Sequence, residues 1–330
     1  MFLVILIPCF NEENTIRELI LSIPKSIKGI TKIEIIVIDD GSSDHTASRA
    51  EEAGAFVISH FRNMGVGAAF NTGVEKAIER GADIVVNIDG DGQFDPGDIS
   101  CLIQPIIDGE AEFVTASRFM DKNLEPEMPV LKKWGNKRIS SLISFLTKQQ
   151  FHDVSCGFRA YSKEVLLKLN LMGKFTYTQE TFLDLAFKEV KILEVPIKVK
   201  GEREYGQSRV AGNLWKYAIN ASKIIFRSFR DYQPFKFFFG ISIGFFVLSF
   251  FLGTFFVGFY LVTGHFHPHK WAGFTSGFLL LFSLLFLLTA LQADMFVRIR
   301  QNQEKLLYLE RKKIFNNMHA KNSSNPDEQT

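Results

Sequence analysis

The sequence contains few cysteines, and none of them stand in pairs. Cys9, Cys101 and Cys156 are widely spaced among 330 residues, and no CxxC pair occurs. A small disulfide-bonded domain is therefore disfavoured, and so is a zinc knuckle. A reducing compartment fits this cysteine usage best.

The sequence also lacks an excess of charge of one sign and two common nucleotide-binding motifs. Its 38 Lys and Arg balance 36 Asp and Glu, so the net charge is only +2 and no nucleic-acid partner is expected. No GxxxxGK(S/T) loop occurs, and the GxG at 65–67 lacks the third glycine of the dinucleotide fingerprint. P-loop nucleotidases and dinucleotide-dependent dehydrogenases are disfavoured. The GxG loop opens a predicted helix, whose N-terminus is able to hold a phosphate.

Phenylalanine and long uncharged runs are abundant near the C-terminal end. Residues 237–262 carry no charge over 26 positions, and residues 271–293 carry none over 23. About 20 apolar residues suffice to cross a hydrocarbon core ~30 Å thick. The pattern predicts transmembrane helices at 235–262 and 271–293, joined by an extracytoplasmic turn at 263–270. Two buried core helices are the alternative, which the lack of charge on every face disfavours.

The charges beside these runs predict how they are oriented. The flanking basic residues are Lys216, Lys223, Arg227, Arg230 and Lys236 before the first run and Arg298, Arg300, Lys305, Arg311, Lys312 and Lys313 after the second. The turn carries only Lys270, so the positive-inside rule puts both termini in the cytoplasm. The apolar start of the chain is too short for a signal peptide.

Two further segments border the predicted hairpin. Residues 213–234 alternate apolar residues at helical spacing with Lys and Arg, which predicts a juxtamembrane amphipathic helix on the cytoplasmic leaflet. An amphipathic helix packed on the soluble domain is the alternative. Residues 294–330 are expected to form a cytoplasmic basic helix followed, from Lys321, by a disordered tail.

Residues 1–212 have the pattern of a soluble α/β domain. Short runs rich in Val and Ile predict strands at 2–8, 32–39, 55–60, 82–89 and 111–117. Helix-like stretches alternate with them near 13–23, 44–54, 66–80 and 97–108. This alternation predicts a mostly parallel sheet with helices on both faces.

Acidic residues follow the predicted strands. Asp39 and Asp40 follow the second strand, and Asp89 and Asp91 follow the fourth. Ligands of open parallel sheets gather at the carboxyl ends of the strands. Two carboxylates one residue apart are able to face one Mg²⁺ or Mn²⁺, often shared with substrate phosphates, and Gln93 offers a third, weaker oxygen. A turn with solvated carboxylates is the alternative.

Seven short motifs are distributed along this domain, and their order and spacing are informative. They are IPCFNEE at 7–13, IDDGS at 38–42, RNMGVGAA at 62–69, DGDGQFDP at 89–96, SRF at 117–119, DVSCGFRAYS at 153–162 and REYGQSR at 203–209. Together they resemble glycosyltransferase family 2, which has the glycosyltransferase-A fold. Within it they are most similar to the polyprenyl-phosphate glycosyltransferases, the group of dolichyl-phosphate mannose synthase and the bactoprenol glucosyltransferases. The two-helix anchor matches the bactoprenol-type branch in layout.

The resemblance implies a role for particular residues. The residues implied in donor binding are Pro8, Phe10, Glu12, Asp39, Asp40, Asp89, Gln93, Arg203 and Ser208. Asp89, Asp91 and Gln93 would bind the metal. Those implied at the acceptor phosphate are Arg118, Lys132, Lys133 and Asn136, although the family usually has an arginine where this chain has the two lysines. Asp91, Arg118 and Arg203 would carry catalysis.

The resemblance also implies a reaction and its partners. It implies metal-dependent, inverting transfer of a sugar from a UDP- or GDP-linked donor to undecaprenyl or dolichyl phosphate. The enzyme would be integral to a prokaryotic plasma membrane, with its catalytic domain cytoplasmic and the hairpin a surface for homo-oligomer formation. One alternative is a family-2 transferase with a hydroxyl acceptor, for which Glu180 stands where many relatives have a catalytic carboxylate. The other is a catalytically silent membrane-assembly subunit.

Overall fold

The chain divides into two units, Met1–Ile225 with Leu306–Thr330, and Phe226–Lys305. These are called the first and the second unit below. The computed structural model describes residues 1–126, 128, 130–171, 177–200 and 214–324. It describes their side chains except those at 131, 132, 214–218, 220, 221, 224 and 318–324.

A seven-stranded sheet forms the centre of the first unit. Its strands are β1 (Phe2–Cys9), β2 (Lys32–Asp39), β3 (Phe56–Ser59), β4 (Ile84–Asn87), β5 (Phe113–Ser117), β6 (Arg159–Ser162) and β7 (Ile192–Pro196). They lie in the order β3-β2-β1-β4-β6-β5-β7. Only β6 among these strands runs antiparallel to its neighbours, β4 and β5. The predicted mostly parallel sheet is therefore confirmed, and each of the five predicted strands is present.

Helices cover both faces of this sheet. They are α1 (Ile16–Ser22), α2 (Thr46–Glu52), α3 (Val66–Arg80), α4 (Ile99–Ile107), α5 (Val130–Thr147), α6 (Lys163–Lys168) and α7 (Thr178–Phe187). Val4 and Leu6 of β1 belong to the core on one face, and Ile5 and Ile7 belong to the core on the other. Both faces of β1 are therefore buried, which explains why its sequence is apolar at every position instead of alternating.

The strand β6 contains the residue that hid it from sequence reasoning. Arg159 is fully buried, and its guanidinium donates to the carbonyl oxygens of Val154 (3.1 Å) and Thr178 (3.0 Å). It also lies over the ring of Phe182, 4.9 Å from the centroid. A charged residue at the start of this four-residue strand breaks the apolar pattern by which the other central strands were found.

The second unit is a helical hairpin. Helix α8 (Leu214–Tyr232) precedes α9 (Pro234–Thr263), and α10 (Lys270–Ser324) follows. Across the hairpin, the Ser242 hydroxyl donates to the carbonyl oxygen of Ser283 (2.7 Å), while Ser249 and Ser276 each donate to the other's carbonyl (2.8 and 2.9 Å). Such hydrogen bonds between small residues hold apolar helices together in lipid. Both helices are long and apolar enough to cross a membrane, and little of either is buried.

Helix α10 is longer than the predicted membrane span with which it begins. It runs without a break through the predicted span and the predicted basic helix to Ser324, so Lys321–Ser324 are helical where a disordered tail was expected. Residues 325–330 lie outside the described residues. With 55 residues and ~1.5 Å per residue, α10 is roughly 80 Å long, far longer than a ~30 Å hydrocarbon core.

The far end of α10 belongs to the first unit and completes its core. The ring of Phe315 is 3% exposed within the same core that contains Val4 and Leu6. Tyr308 donates its hydroxyl hydrogen to Glu164 (2.9 Å), and Arg311 donates to the carbonyl oxygen of Leu169. Burial lowers the pKa of Arg311 from its ordinary value. The part of α10 around Tyr308 and Arg311 is therefore packed against α6 and the residue that follows it.

We expect Phe315→Ala to lower the free energy of unfolding by about 3 kcal/mol, because it opens a cavity in the core of the first unit. Ile314→Ala is the matched control, since Ile314 is 41% exposed and should cost less than ~1 kcal/mol. Chemical denaturation of the detergent-solubilised protein, followed by near-UV circular dichroism, measures both. Equal losses would show that Phe315 does not belong to the core.

Candidate active site

Three loops meet at the carboxyl edge of the sheet because β2, β1 and β4 are parallel neighbours. The backbone N–H of Glu12 donates to the Thr46 hydroxyl (2.8 Å), which ties the loop after β1 to the start of α2. The Thr15 hydroxyl donates to the carbonyl oxygen of Gly90 (2.7 Å), which ties the same loop to the one after β4. The residues brought to this edge are Pro8, Phe10, Glu12, Asp39, Asp40, Asp89, Asp91 and Gln93.

Asp39 and a buried thiol lie side by side at the centre of this edge. Asp39 is 4% exposed and accepts a hydrogen bond from the backbone N–H of Ser42 (3.0 Å). Burial, and next the charge of Asp39, raise the pKa of Cys9 well above its ordinary value. Burial also raises the pKa of Cys156 to about 12. Both thiols therefore stay protonated at neutral pH, and neither is a nucleophile.

Asp40 holds the loop that opens α3. Its carboxylate accepts from the backbone N–H groups of Met64 (2.9 Å) and Gly65 (2.7 Å), and it lies 2.7 Å from Nδ1 of His60. The sequence predicts that this loop, at the N-terminus of α3, is able to bind a phosphate. The carboxylate of Asp40 already takes two of its N–H groups and puts a negative charge there, so a phosphate is disfavoured at this position. Direct contact between Asp40 and a ligand stays a prediction.

Asp89 and Asp91 form the carboxylate pair after β4. Asp91 is 4% exposed, and its Oδ1 accepts from the backbone N–H of Gln93 (3.1 Å). The side-chain amide of Gln93 donates to the carbonyl oxygen of Lys200 (3.1 Å). Asp89 lies directly against the backbone of Gly157, where a Cβ would come within 2.4 Å of its Oδ2. Gly157 therefore leaves the space that the Asp89 carboxylate occupies.

The donor set of this pair is compatible with a hard divalent cation. Within the described part of the chain, no group of three or more His, Cys, Asp or Glu side chains could hold a metal ion. A closed structural zinc site needs four protein ligands, so the described residues do not fit one. Mg²⁺ and Mn²⁺ accept oxygen ligands and commonly bind through one or two carboxylates plus substrate phosphates and water, which Asp89 and Asp91 would satisfy.

Arg118 is fixed by a buried carboxylate. Its guanidinium donates to both oxygens of Asp153 (2.6 and 2.9 Å) and to the Ser155 hydroxyl (2.7 Å). Burial alone would raise the pKa of Asp153, but the charge and hydrogen bonds of Arg118 outweigh it and hold that pKa below its ordinary value. Asp153 is therefore ionised at neutral pH, and Arg118, with its side chain 19% exposed, is presented in one orientation.

The predicted acceptor residues are only partly brought together. The Ser155 hydroxyl donates to Oδ1 of Asn136 (2.7 Å), so Asn136 and Arg118 share a partner. Lys133 is exposed and pairs instead with Glu125. The side chain of Lys132 lies outside the described residues. Arg203 and Ser208 do so as well, so their predicted roles at the donor remain predictions.

The segment 153–157 joins the two halves of the site, a role that sequence reasoning missed. Its Asp153 orients Arg118, and its Gly157 gives room to Asp89. Because β6 is antiparallel, the residues before it lie at the same edge as the carboxyl ends of its neighbours. The available signal was the DVSCG sequence itself, but a pairing of Asp153 with Arg118 across 35 residues has no local pattern.

Comparison with known proteins agrees with this architecture. The sheet with paired carboxylates at its carboxyl edge is that of a glycosyltransferase. The family described as glycosyl transferase family 2 matches residues 4–169, half of the chain, and the chain belongs to this family.

Two named relatives are similar to this chain in sequence, and one solved structure is similar to it in fold. The UDP-N-acetylglucosamine–dolichyl-phosphate N-acetylglucosaminyltransferase of Methanococcus voltae is 36% identical over 59% of this chain and 84% of its own. The polyprenol monophosphomannose synthase of Mycolicibacterium smegmatis is 28% identical over 63% and 81%. Glucosyl-3-phosphoglycerate synthase of Mycobacterium tuberculosis, solved with Mn²⁺, UDP-glucose and phosphoglyceric acid, shares the fold with a TM-score of 0.54. It is 23% identical and covers 69% of this chain and 79% of its own.

We expect Gly157→Ala to lower kcat by more than about tenfold, a rise of at least ~1.4 kcal/mol in the barrier, because the new methyl group would displace the Asp89 carboxylate. Gly135→Ala on α5 is the control, since an added Cβ there meets nothing within 4 Å. Steady-state sugar transfer by the two purified variants measures the difference. Wild-type turnover by Gly157→Ala would mean that the position of Asp89 does not matter.

Proposed function

We propose that this glycosyltransferase moves a sugar from a nucleoside diphosphate to a polyprenyl phosphate at the cytoplasmic face of a membrane, inverting the anomeric carbon. One observation carries the proposal. The segment 153–157 contacts a carboxylate suited to a metal-bound diphosphate, Asp89, and a fixed arginine suited to a phosphate, Arg118. The relatives named for dolichyl phosphate and polyprenol monophosphate support the choice of acceptor.

The donor would bind over the loops after β1, β2 and β4. Pro8, Phe10 and Glu12 would line the base and ribose, and Asp39 would read the base. Asp89 and Asp91 would hold Mg²⁺ or Mn²⁺, which when bound offsets the charge that develops on the leaving nucleoside diphosphate. The Mn²⁺ and UDP-glucose bound by the mycobacterial synthase support a divalent cation and a nucleotide donor.

The acceptor needs cations more than it needs a general base. A phosphate monoester carries about −1.5 to −2 charges at neutral pH, so its attacking oxygen is already ionised. Arg118 would bring this oxygen to a negatively charged donor, helped by Asn136 and by a lysine of Lys132 and Lys133. Asp153 keeps the guanidinium in place so that its orientation is not lost when the phosphate binds.

The membrane is the place where such an acceptor is found. We infer that α9 and the first part of α10 span the bilayer, because each is long and apolar enough to cross it and little of either is buried. The basic residues on both sides of the hairpin support a cytoplasmic location for the domain of residues 1–212 and for both termini. A charged headgroup stays at that surface because phosphate enters hydrocarbon at high cost.

The product distinguishes this proposal from its two alternatives. Full-length protein in liposomes with undecaprenyl phosphate is given a panel of radiolabelled UDP- and GDP-sugars. We expect the label in a lipid product from which mild acid releases the labelled sugar, because a glycosyl phosphate is acid-labile. We expect no labelled lipid when undecaprenol replaces undecaprenyl phosphate. Label in an acid-stable product would instead indicate a hydroxyl acceptor, for which Glu180 in the first turn of α7 would be the candidate base. Absence of transfer from any donor would indicate a silent subunit.

We expect Asp91→Ala to lose more than about 90% of turnover, at least ~1.4 kcal/mol in the barrier, while the protein stays folded. Asp95→Ala is the matched control in the same loop, because Asp95 is exposed and only caps the turn at Gly97 (2.8 Å), a contribution of about 1 kcal/mol to stability. EDTA should abolish wild-type activity, and Mg²⁺ or Mn²⁺ should restore it. Full activity in chelator, or equal activity of the two variants, would contradict the metal assignment.

A further inference from the structure

Helix α5 carries charges of one sign only, and the proposed site does not explain all of them. Its 18 residues, Val130–Thr147, contain four basic side chains and no acidic one. Only two of these, Lys132 and Lys133, belong to the predicted acceptor site. Lys137 and Arg138 are exposed and lie on the outer side of the helix.

The inner side of α5 is well packed. Ile143 is fully buried in the core that also contains Val4 and Leu6. Ser140 is 3% exposed and donates its hydroxyl hydrogen to the carbonyl oxygen of His152 (3.2 Å). The helix is therefore fixed on the first unit, and its outer side has a fixed direction.

The outer side carries large apolar residues where a soluble domain would have polar ones. Val130 is 83% exposed, Trp134 57%, Leu142 45% and Phe145 80%. We call these four residues, with Lys137 and Arg138, the α5 outer face. Val130, Trp134, Arg138, Leu142 and Phe145 recur at intervals of four, four, four and three, which puts them along one side of the helix.

We propose that the α5 outer face docks on the anionic surface of the bilayer, as a membrane contact additional to those predicted for the hairpin and α8. Trp is enriched at membrane interfaces, and apolar side chains beside Lys and Arg are the pattern of a helix that lies in the interface plane. Arg138 lies 5.4 Å from the centroid of Trp134, so an apolar ring and a cation are presented together. Basic residues near an anionic leaflet strengthen such a contact by electrostatic attraction.

The charge pattern favours a bilayer over a second copy of this chain. Two α5 outer faces brought together would set Lys137 and Arg138 against their own counterparts, with no acidic residue in either helix to compensate. An anionic leaflet offers the opposite charge and an apolar interior to the same face. The inference goes beyond the proposed function, since it does not depend on which acceptor is used.

The helix that carries the α5 outer face also contacts the predicted acceptor site. Asn136, on the same helix, accepts from the Ser155 hydroxyl, which Arg118 in turn contacts. A bilayer held against the outer side of α5 would thus lie one helix away from the predicted phosphate-binding arginine.

Fluorescence of Trp134 tests the docking without any activity measurement. The full-length variant Trp215→Phe/Trp271→Phe, which keeps Trp134, is placed in nanodiscs that contain phosphatidylglycerol and brominated phosphatidylcholine. The control reporter is Leu21→Trp in a background that also carries Trp134→Phe. Leu21 is 55% exposed on α1, which packs on the opposite face of the sheet from α5. We expect brominated lipid to quench Trp134 but not the control, and aqueous iodide to quench the control but not Trp134.

Two results would overturn the proposal. Quenching of Trp134 by iodide and not by brominated lipid would show that the face is in water. Protection from both quenchers would show that protein covers it, either another part of this chain or a second copy.

Charge reversal gives a second, independent readout. Lys137→Glu/Arg138→Glu should lower quenching of Trp134 by brominated lipid severalfold in anionic nanodiscs. Lys25→Glu/Lys28→Glu is the matched control, because both lysines are exposed and the change in net charge is the same. An equal decrease in both variants would mean that net charge, and not the α5 outer face, governs the contact.

Discussion

The buried negative charge at the carboxyl edge of the sheet is the constraint on which the rest of the site depends. Asp39, Asp40, Asp91 and Asp153 are each at most 4% exposed, so each must find hydrogen-bond donors within the protein. Backbone N–H groups serve the first three, and a guanidinium serves the fourth. The loops after β1, β2, β3 and β4 therefore cannot move independently, because the carboxylates and hydroxyls of one loop satisfy the backbone of another. A rigid edge suits the proposed reaction between two anionic substrates, since positioning must replace the attraction that they lack.

The two kinds of charge at this edge are kept apart by geometry. The carboxylates lie after β1, β2 and β4, whereas Arg118 follows β5, with β6 between β4 and β5. The antiparallel direction of β6 puts its incoming segment, 153–157, between the two groups. A carboxylate next to an arginine partly offsets the attraction of that arginine for phosphate when both groups face the ligand. Asp153 is fully buried, however, so it fixes the arginine from behind and leaves the ligand side to the cation.

Much of the fold, but less of the site, could be predicted from the sequence. Buried parallel strands can be recognised as apolar runs, as β1 is, and the carboxylate pair after β4 was predicted from its spacing together with its position after a strand. The sequence could not reveal that Asp40 accepts hydrogen bonds from the N–H groups of Met64 and Gly65. Asp39 and Asp40 are adjacent residues of the same type, and they differ only in the groups that the fold puts beside them. β6 was missed because its buried Arg159 has a polar signature, and the Arg118–Asp153 pair because it joins distant parts of the chain. Long-range partners of this kind follow from topology and not from local pattern.

The return of α10 to the first unit has a consequence for how the protein is made. Residues 1–225 supply nearly all of the core that Phe315 completes, yet Phe315 is synthesised only after both apolar helices. While the hairpin is still being translated, the nascent sheet has a gap where this ring will pack. In the complete chain the ring of Phe315 fills this place, so the core of the first unit is finished only when α10 has been synthesised as far as that residue. A chain that ended within the hairpin would lack this ring, and a domain that loses a buried aromatic side chain loses stability.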